Sequence, residues 1–323
     1  MSQLMQAWQV QTLGAGCVLA QVPRPVPAKG EALIAVKACG LNHADLLMQL
    51  GRYQERPALP FTQGMEISGV VAALGPETPG PAIGARVAVM LGQGGLAPWA
   101  VAPVDRLILL PDQVNDATGA GFQIAYGTSH LALDHKARLQ AGETLLVLGA
   151  AGGVGLTAVE IGRKMGAKVI AVARGADRLA VAKAAGADVT IDSTTPDLKA
   201  AFKAAGGVDV VYDAVGGPDF MAALSATRPE GRLLTIGFAG GEVPQIPANL
   251  LLVKNLSVMG LYWGGYLRFA PKILTQSLTQ VLGWIAAGDL HPHIGLTLPF
   301  DRAPEGLAAL QNRTATGKVV ITL

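Results

Sequence analysis

The tightest constraint on this chain is a run of small residues between two apolar stretches: Thr144-Leu-Leu-Val-Leu148, then Gly149-Ala-Ala-Gly-Gly-Val-Gly155, then Leu156-Thr-Ala-Val-Glu160. An apolar run of strand length, a glycine-rich bend and a helical pattern read as strand, phosphate-binding turn and helix. Gly152 and Gly155 keep the second half of the dinucleotide fingerprint, with Ala150 where its first glycine would stand. Missing side chains let the backbone approach a pyrophosphate, whose charge is met by free N–H groups and the positive end of the helix dipole. The same glycine spacing also serves close packing of a helix on a strand, so the context has to decide.

That context begins with Gly166-Ala-Lys-Val-Ile-Ala-Val-Ala-Arg174, a second apolar strand at about the thirty-residue interval of a strand-helix-strand unit. Where a carboxylate would receive the ribose 2′-hydroxyl of NADH, the chain has Arg174, with Arg178 one helical turn later. Two guanidiniums suit a 2′-phosphate, because a dianion takes paired cationic donors and is repelled by carboxylate. The pair favours NADPH, against the alternative of two solvated surface charges beside Asp177.

The 323 residues suffice for two domains, each with its own core. Half of them are hydrophobic, 15% are charged and 41 are glycine, which suits an Ala/Val/Gly-rich α/β enzyme and excludes a disordered or fibrous chain. A net charge of +2 with no basic block leaves no electrostatic footprint for nucleic acid or an anionic membrane. Two cysteines, Cys17 and Cys39, cannot build a disulfide framework or a four-thiolate zinc lobe, and Cys39 reads as a small buried hydrophobe. The first residues lack a basic region followed by an apolar one, and later apolar stretches are broken by Gly, Pro, Gln or regularly spaced polar residues. The expectation is a soluble protein of the reducing cytoplasm.

Before the glycine turn the texture is β. Short apolar segments at 31–39, 67–75, 84–91 and 97–102 are separated by turn residues, with a short helix at 41–50. From Pro111 the pattern turns helical, with Asn115 and Asp116 able to cap a segment that runs through Phe122, Ile124 and Tyr126 to Leu133. After the first unit, helices at 177–185, 197–205 and 219–227 alternate with strands at 188–191, 208–213 and 231–237, the pattern of a doubly wound sheet. Ile273, Leu274, Leu278, Val281, Leu282 and Ile285 then form a core-facing helical stripe. The tail, with strands at 294–300 and 317–323, is expected to complete the first domain.

Several blocks carry a resemblance: Gly40-Leu-Asn-His-Ala-Asp45, Gly51-Arg-Tyr-Gln54, Gly64-Met-Glu-Ile-Ser-Gly-Val-Val71, the glycine turn, Val211-Tyr-Asp-Ala-Val-Gly-Gly217, Ile236-Gly-Phe-Ala-Gly240, the stretch 249–264 and Gly317-Lys-Val-Val320. With all of them in order, the chain resembles the zinc-independent quinone oxidoreductases of the medium-chain dehydrogenase/reductase superfamily. The resemblance implies an α/β fold: a GroES-like β-rich catalytic domain, residues 1–124 and 267–323, interrupted by a doubly wound Rossmann domain at 125–266. Zinc alcohol dehydrogenases share this architecture, but where they place a catalytic cysteine this chain has Asn42, and where they place a histidine it has Met65. An amide and a thioether make a poor Zn²⁺ site, and His43, His291 and His293 complete no set of three, so no metal is expected.

Without a Lewis acid, alcohol oxidation is hard, whereas quinones and α,β-unsaturated carbonyls accept hydride readily. The resemblance implies that Asn42 and Tyr53 lie near the nicotinamide, as donors to a developing oxyanion. Asn42 has a second reading as a helix N-cap and Tyr53 as a loop-packing residue. A phenol with a pKa near 10 gives up its proton reluctantly at neutral pH, which favours water as the proton source. For NADPH, the resemblance puts Thr128 by the nicotinamide, Ala151, Gly152, Gly153 and Val154 at the pyrophosphate, and Arg174 and Arg178 at the 2′-phosphate. It puts Val215, Ile236, Phe238, Tyr262 and Trp263 where the cofactor crosses the sheet, and Arg313 in the phosphate region. Ser193 stands where some members have a tyrosine near the adenine. A homodimer formed through an edge strand is also implied. Two rival functions remain: a 2-enoyl thioester or alkenal reductase using Arg52, Arg56 and Arg268 for a charged carrier, and a crystallin-like protein that holds NADPH without turnover.

Overall fold

The computed structural model describes residues 3–323. Two compact units emerge, the residues up to Ile124 together with Pro292–Leu323, and Ala125–His291. In chain order the first unit contributes β1 (Leu4–Val10), β2 (Val18–Pro23), β3 (Glu31–Leu41), α1 (His43–Gln49), β4 (Phe61–Thr62), β5 (Glu66–Leu74), β6 (Arg86–Met90), β7 (Trp99–Pro103), β8 (Ile108–Leu109) and α2 (Asp116–Gly121). Helix α3 (Gln123–His130) leads into the second unit, which holds β9 (Thr144–Leu148), α4 (Gly153–Lys164), β10 (Lys168–Ala173), α5 (Ala176–Ala184), β11 (Val189–Asp192), α6 (Leu198–Ala204) and β12 (Val208–Asp213). It continues with α7 (Gly217–Ala226), β13 (Thr227–Thr235), α8 (Ala248–Lys254), β14 (Ser257–Gly260), α9 (Tyr266–Phe269) and α10 (Pro271–Ala286). The chain then returns to the first unit as β15 (Ile294–Pro299), α11 (Ala303–Gln311) and β16 (Lys318–Thr322).

In the first unit, β16 lies between β15 and β3, and the sheet continues through β5 and β6 to β8, with β7 also paired to β3. The tail is thus stitched into the sheet by Val320 opposite Gly40 and Ile321 opposite Cys39. The unit's core gathers Ile34, Ile67, Val71, Val89, Leu307 and Ile321. Strand β3 pairs with β5, β7 and β16, and it pairs β5 across two register shifts.

The second unit is a parallel sheet in the order β11-β10-β9-β12-β13-β14. All of β9 is buried, as expected of a strand covered by helices on both faces. The order reverses beside β9, so its carboxyl end and that of β12 form the switch point at which such sheets bind ligands.

Two boundaries differ from the sequence expectation. Helical structure from 116 onward is broken rather than continuous: α2 stops, α3 restarts at Gln123, and a π-helical turn follows at Leu131–Lys136. At the break the Ile124 N–H donates to the Glu66 carboxylate, 58 positions earlier, at 3.0 Å instead of to a carbonyl one turn back. Residues 267–291 belong with the second unit rather than with the first. Helix α10 turns Leu274, Ser277, Leu278 and Val281 inward, and Ser277 bonds to His130 of α3 at 2.8 Å. The Trp284 ring meets that histidine edge-on, and Lys164 pairs with Asp289 at 2.8 Å.

Candidate functional site

At the end of β9 the backbone turns at Gly149, whose φ of +74° is a left-handed conformation that favours glycine. Gly152 then caps α4, and its N–H donates to Gly149 O at 3.0 Å. A Cβ on Gly155 would stand 2.1 Å from Gly149 O, so only glycine lets the helix sit this close to the strand. Among Ala151, Gly152, Gly153 and Val154, Gly152 alone is exposed. The first N–H groups of α4 have no carbonyl one turn earlier in the helix to bond. Bare backbone and a twelve-residue helix dipole at the switch point fit a pyrophosphate.

Beneath this turn lies a polar network that sequence reasoning missed. Ser129 Oγ donates to Val154 O at 2.9 Å and contacts Thr157 Oγ1 at 2.7 Å and the Tyr212 hydroxyl at 2.9 Å. Thr157 Oγ1 also reaches Ala125 O at 3.1 Å, so α3, which carries the buried Thr128, is fastened to the first turn of α4. The one sequence signal was a polar pair, Ser129 and Thr157, on otherwise apolar faces.

Opposite the turn, the loop after β12 is shaped by Asp213, also missed as a functional residue. Its carboxylate accepts the N–H groups of Val215 and Gly216, both at 2.9 Å, while burial pushes its pKa up. Val215 is thereby aimed at the turn, with a methyl 3.0 Å from where a Gly149 Cβ would stand. Ile236 follows β13 with its N–H on Asp213 O at 2.8 Å, and Phe238 is partly exposed beside Gly216. Trp263 is buried with its indole nitrogen against Gly127, next to Thr128, and that nitrogen has no partner among the described residues. Tyr262 lies half-buried against Gly264 and Gly265.

At the end of β10, Arg174 is exposed and Arg178 half-buried, and neither forms an ion pair among the described residues. Ser193 is brought to them by its N–H bond to Ala173 O at 3.0 Å. A carboxylate does stand here, on the neighbouring strand. Asp192, opposite Ala173, accepts from Thr194 and from Gly175 N at 2.9 Å, bonds that with the Arg174 charge hold its pKa down.

Asn42, Tyr53 and Arg313 belong to the first unit. Asn42 occupies the N-cap position of α1 and shares a capping box with Asp45, whose carboxylate accepts the Asn42 backbone N–H at 2.8 Å. The carboxamide also bonds inward. Its Nδ2 donates to Glu66 Oε1 at 3.0 Å and to Gly40 O at 3.3 Å, and its Oδ1 accepts from Lys318 Nζ at 2.8 Å. Lys318 also donates to Glu66 Oε1 at 2.7 Å and to Leu41 O at 3.0 Å. Burial drives the Asp45 carboxyl up to about 7 against the pull of the Asn42 N–H and Lys318. Burial, with the Glu55 and Asp45 charges, pushes the Tyr53 phenol up to about 12, higher than its ordinary value assumed from sequence. Arg313 follows α11 with a left-handed backbone, and burial, with the Arg313 charge, lowers the pKa of His43.

Residues 28–112 match the alcohol dehydrogenase GroES-like domain and residues 153–285 the zinc-binding dehydrogenase family. Quinone oxidoreductase-like protein 2 homolog of Nematostella vectensis is 40% identical over 294 residues, covering 89% of this chain and 80% of that protein. The chain belongs to the quinone oxidoreductase family of the medium-chain dehydrogenases/reductases. Within that family the quinone oxidoreductase of Sus scrofa is 30% identical over 331 residues, covering 99% of this chain and 98% of that one. The quinone oxidoreductase of Thermus thermophilus, solved alone and in complex with NADPH, is 35% identical with a TM-score of 0.87 and covers 99% of this chain and 100% of that one. The fold is accordingly a GroES-like domain with a Rossmann-type domain, and the chain is an oxidoreductase by family.

Proposed function

We propose that the protein transfers a hydride from NADPH to a quinone or another activated enone without the help of a metal. The observation that carries this reading is the donor set around Asn42. Where a zinc enzyme needs thiolate and imidazole, this chain offers an amide and the buried thioether of Met65. The adjacent Glu66 carboxylate is already paired with an ammonium at 2.7 Å. Hydrogen-bond donors can steady negative charge that builds on an easily reduced acceptor, but they cannot activate a simple alcohol as a Lewis acid does.

NADPH, when bound, supplies the hydride, and one proton from water completes the reduction of a quinone to its hydroquinone as NADPH becomes NADP⁺. Ala151, Gly152, Gly153 and Val154 present backbone to the pyrophosphate, and Ser129 and Thr157 hold that turn in place. Arg174 and Arg178 take the 2′-phosphate, with Ser193 beside the adenine. Val215, Ile236 and Phe238 border the switch point, and Trp263 holds the helix that carries Thr128. Asn42 donates to the acceptor oxygen. Tyr53, its phenol far from titration at neutral pH, serves as a neutral donor and leaves proton supply to water. A homodimer through β14 is supported by that strand's place at the sheet edge and by the exposed Leu252 and Val253 on the preceding helix.

The test is NADPH oxidation with benzoquinone and naphthoquinone beside crotonyl-CoA, each repeated after chelation. Turnover of the quinones that chelation leaves intact is the expected result. Preference for the thioester would move the protein to the enoyl reductases, and tight NADPH binding with no turnover would make it a binding protein.

A further inference from the structure

We infer that Lys318 is a positioning residue whose ammonium, with the Glu66 carboxylate, fixes the Asn42 carboxamide in one of its two orientations and leaves one of its N–H groups for a substrate oxygen. This rests on the proposed role of Asn42 as a donor. The two ends of a carboxamide are nearly equal in size, so their partners decide which way it faces. An ammonium only donates, and Lys318 Nζ spends its three hydrogens on Leu41 O, Asn42 Oδ1 and Glu66 Oε1 at 3.0, 2.8 and 2.7 Å. A carboxylate only accepts, and Glu66 Oε1 takes Asn42 Nδ2 at 3.0 Å. A flipped amide would set N–H against ammonium and carbonyl against carboxylate in a site where Asn42, Glu66 and Lys318 are 9%, 0% and 4% exposed.

Among the described residues the second Nδ2 hydrogen has only Gly40 O, at 3.3 Å, a long bond that an acceptor oxygen can replace. The cation on Oδ1 also draws electron density from the amide, which strengthens its N–H groups as donors. Lys318 touches neither substrate nor cofactor and acts through Asn42.

The test compares Lys318→Met, Lys318→Arg and the charge-neutral pair Lys318→Met/Glu66→Gln with the parent protein. Steady-state kcat and KM for a quinone, NADPH affinity by fluorescence and the side-chain amide resonances of ¹⁵N-asparagine-labelled protein are followed. Asn42 is assigned in those spectra by Asn42→Asp. Lys318→Met is expected to lower kcat about 10- to 100-fold, the range for partners that orient a functional group, with NADPH affinity unchanged and the Asn42 amide resonances shifted. Lys318→Arg, which keeps a buried cation, is expected to recover the larger part of kcat. If Lys318→Met does not fold, the charge-neutral pair, which leaves no lone buried charge, is expected to show the same loss and the same shift. Parent-like kcat or parent-like Asn42 resonances in a folded variant would overturn the inference, as would kcat and NADPH affinity falling in parallel. A parent protein that reduces no quinone would sink the proposed function, while the Asn42 resonances would still decide whether Lys318 orients the amide.

Discussion

Two glycines three residues apart in the same turn should fail in opposite ways. At Gly155 an added methyl would stand 2.1 Å from Gly149 O and 2.7 Å from Gly149 C, both backbone atoms. To restore contact distance, strand β9 and helix α4 must separate by roughly an ångström, at the upper end of the ~1–3 kcal/mol typical of overpacking. For a unit of this size that is a fall in Tm of about 6–12 °C. At Gly152 the nearest atom to an added methyl is Gly149 O at 3.4 Å, ordinary contact, and φ −80°, ψ 171° is backbone that any residue adopts. Alanine costs about 0.5–1 kcal/mol as an N-cap and gains about as much by stiffening the unfolded chain, so stability stays close to that of the parent. Its methyl nevertheless lies on the exposed side of the turn, where the pyrophosphate is proposed to bind. Gly152→Ala is therefore expected to melt within about 2 °C of the parent yet bind NADPH at least about tenfold more weakly, a loss of roughly 1.4 kcal/mol. Thermal unfolding followed by circular dichroism and titration of NADPH fluorescence separate the two effects. A Gly152→Ala protein that binds NADPH like the parent would show that the turn is packing alone and not a phosphate cradle.

Removing both guanidiniums, Arg174→Ala/Arg178→Ala, should raise the Kd for NADPH about 100-fold, taking roughly 1.5 kcal/mol for each charge-assisted bond at a partly exposed site, and leave NADH almost untouched. Equal weakening of both, measured by calorimetry, would remove the argument for the 2′-phosphate. Asp45 should make stability depend on pH. The folded protein holds its proton up to about 7, whereas the unfolded chain releases it near 3.8. Its burden is therefore absent below pH 4, grows as pH rises, and is complete above pH 7, at most about 4 kcal/mol. Denaturant midpoints from pH 4 to 8 should fall less steeply for Asp45→Asn than for the parent, and parallel curves would refute the assignment.

What could be read from sequence was what is local. Strand β9 is apolar after Thr144 and runs into a glycine, so strand, turn and helix follow from a dozen consecutive residues. Asn115 was expected as a cap, and its side chain does accept the Thr118 N–H at 2.8 Å. Strand β14 escaped because four residues inside an apolar stretch, Ser257–Gly260, carry no alternation that could mark a strand. The break between α2 and α3 was invisible because its cause, Glu66, lies 58 positions away from Ile124. The stripe on α10 was legible as a buried face, but periodicity cannot say which unit a face is buried against. Ser277 and His130, 147 residues apart, settle it.

Lys318 marks the limit most clearly. In sequence it is one lysine at the head of a short apolar strand, where a solvated charge is the ordinary assumption. The topology removes that option. Strand β16 is flanked by β15 and β3, and Lys318, Val319, Val320 and Ile321 are all buried, so the strand has no wet side on which to place an ammonium. A cation there is tolerable only if every hydrogen finds an acceptor and one acceptor is an anion, because a buried charge left without its partner costs about 3–5 kcal/mol. Glu66, 252 positions earlier, and Asn42, 276 positions earlier, meet that demand. The lysine on an interior strand was the sequence signal, and it became readable only once strand order showed which strands were interior.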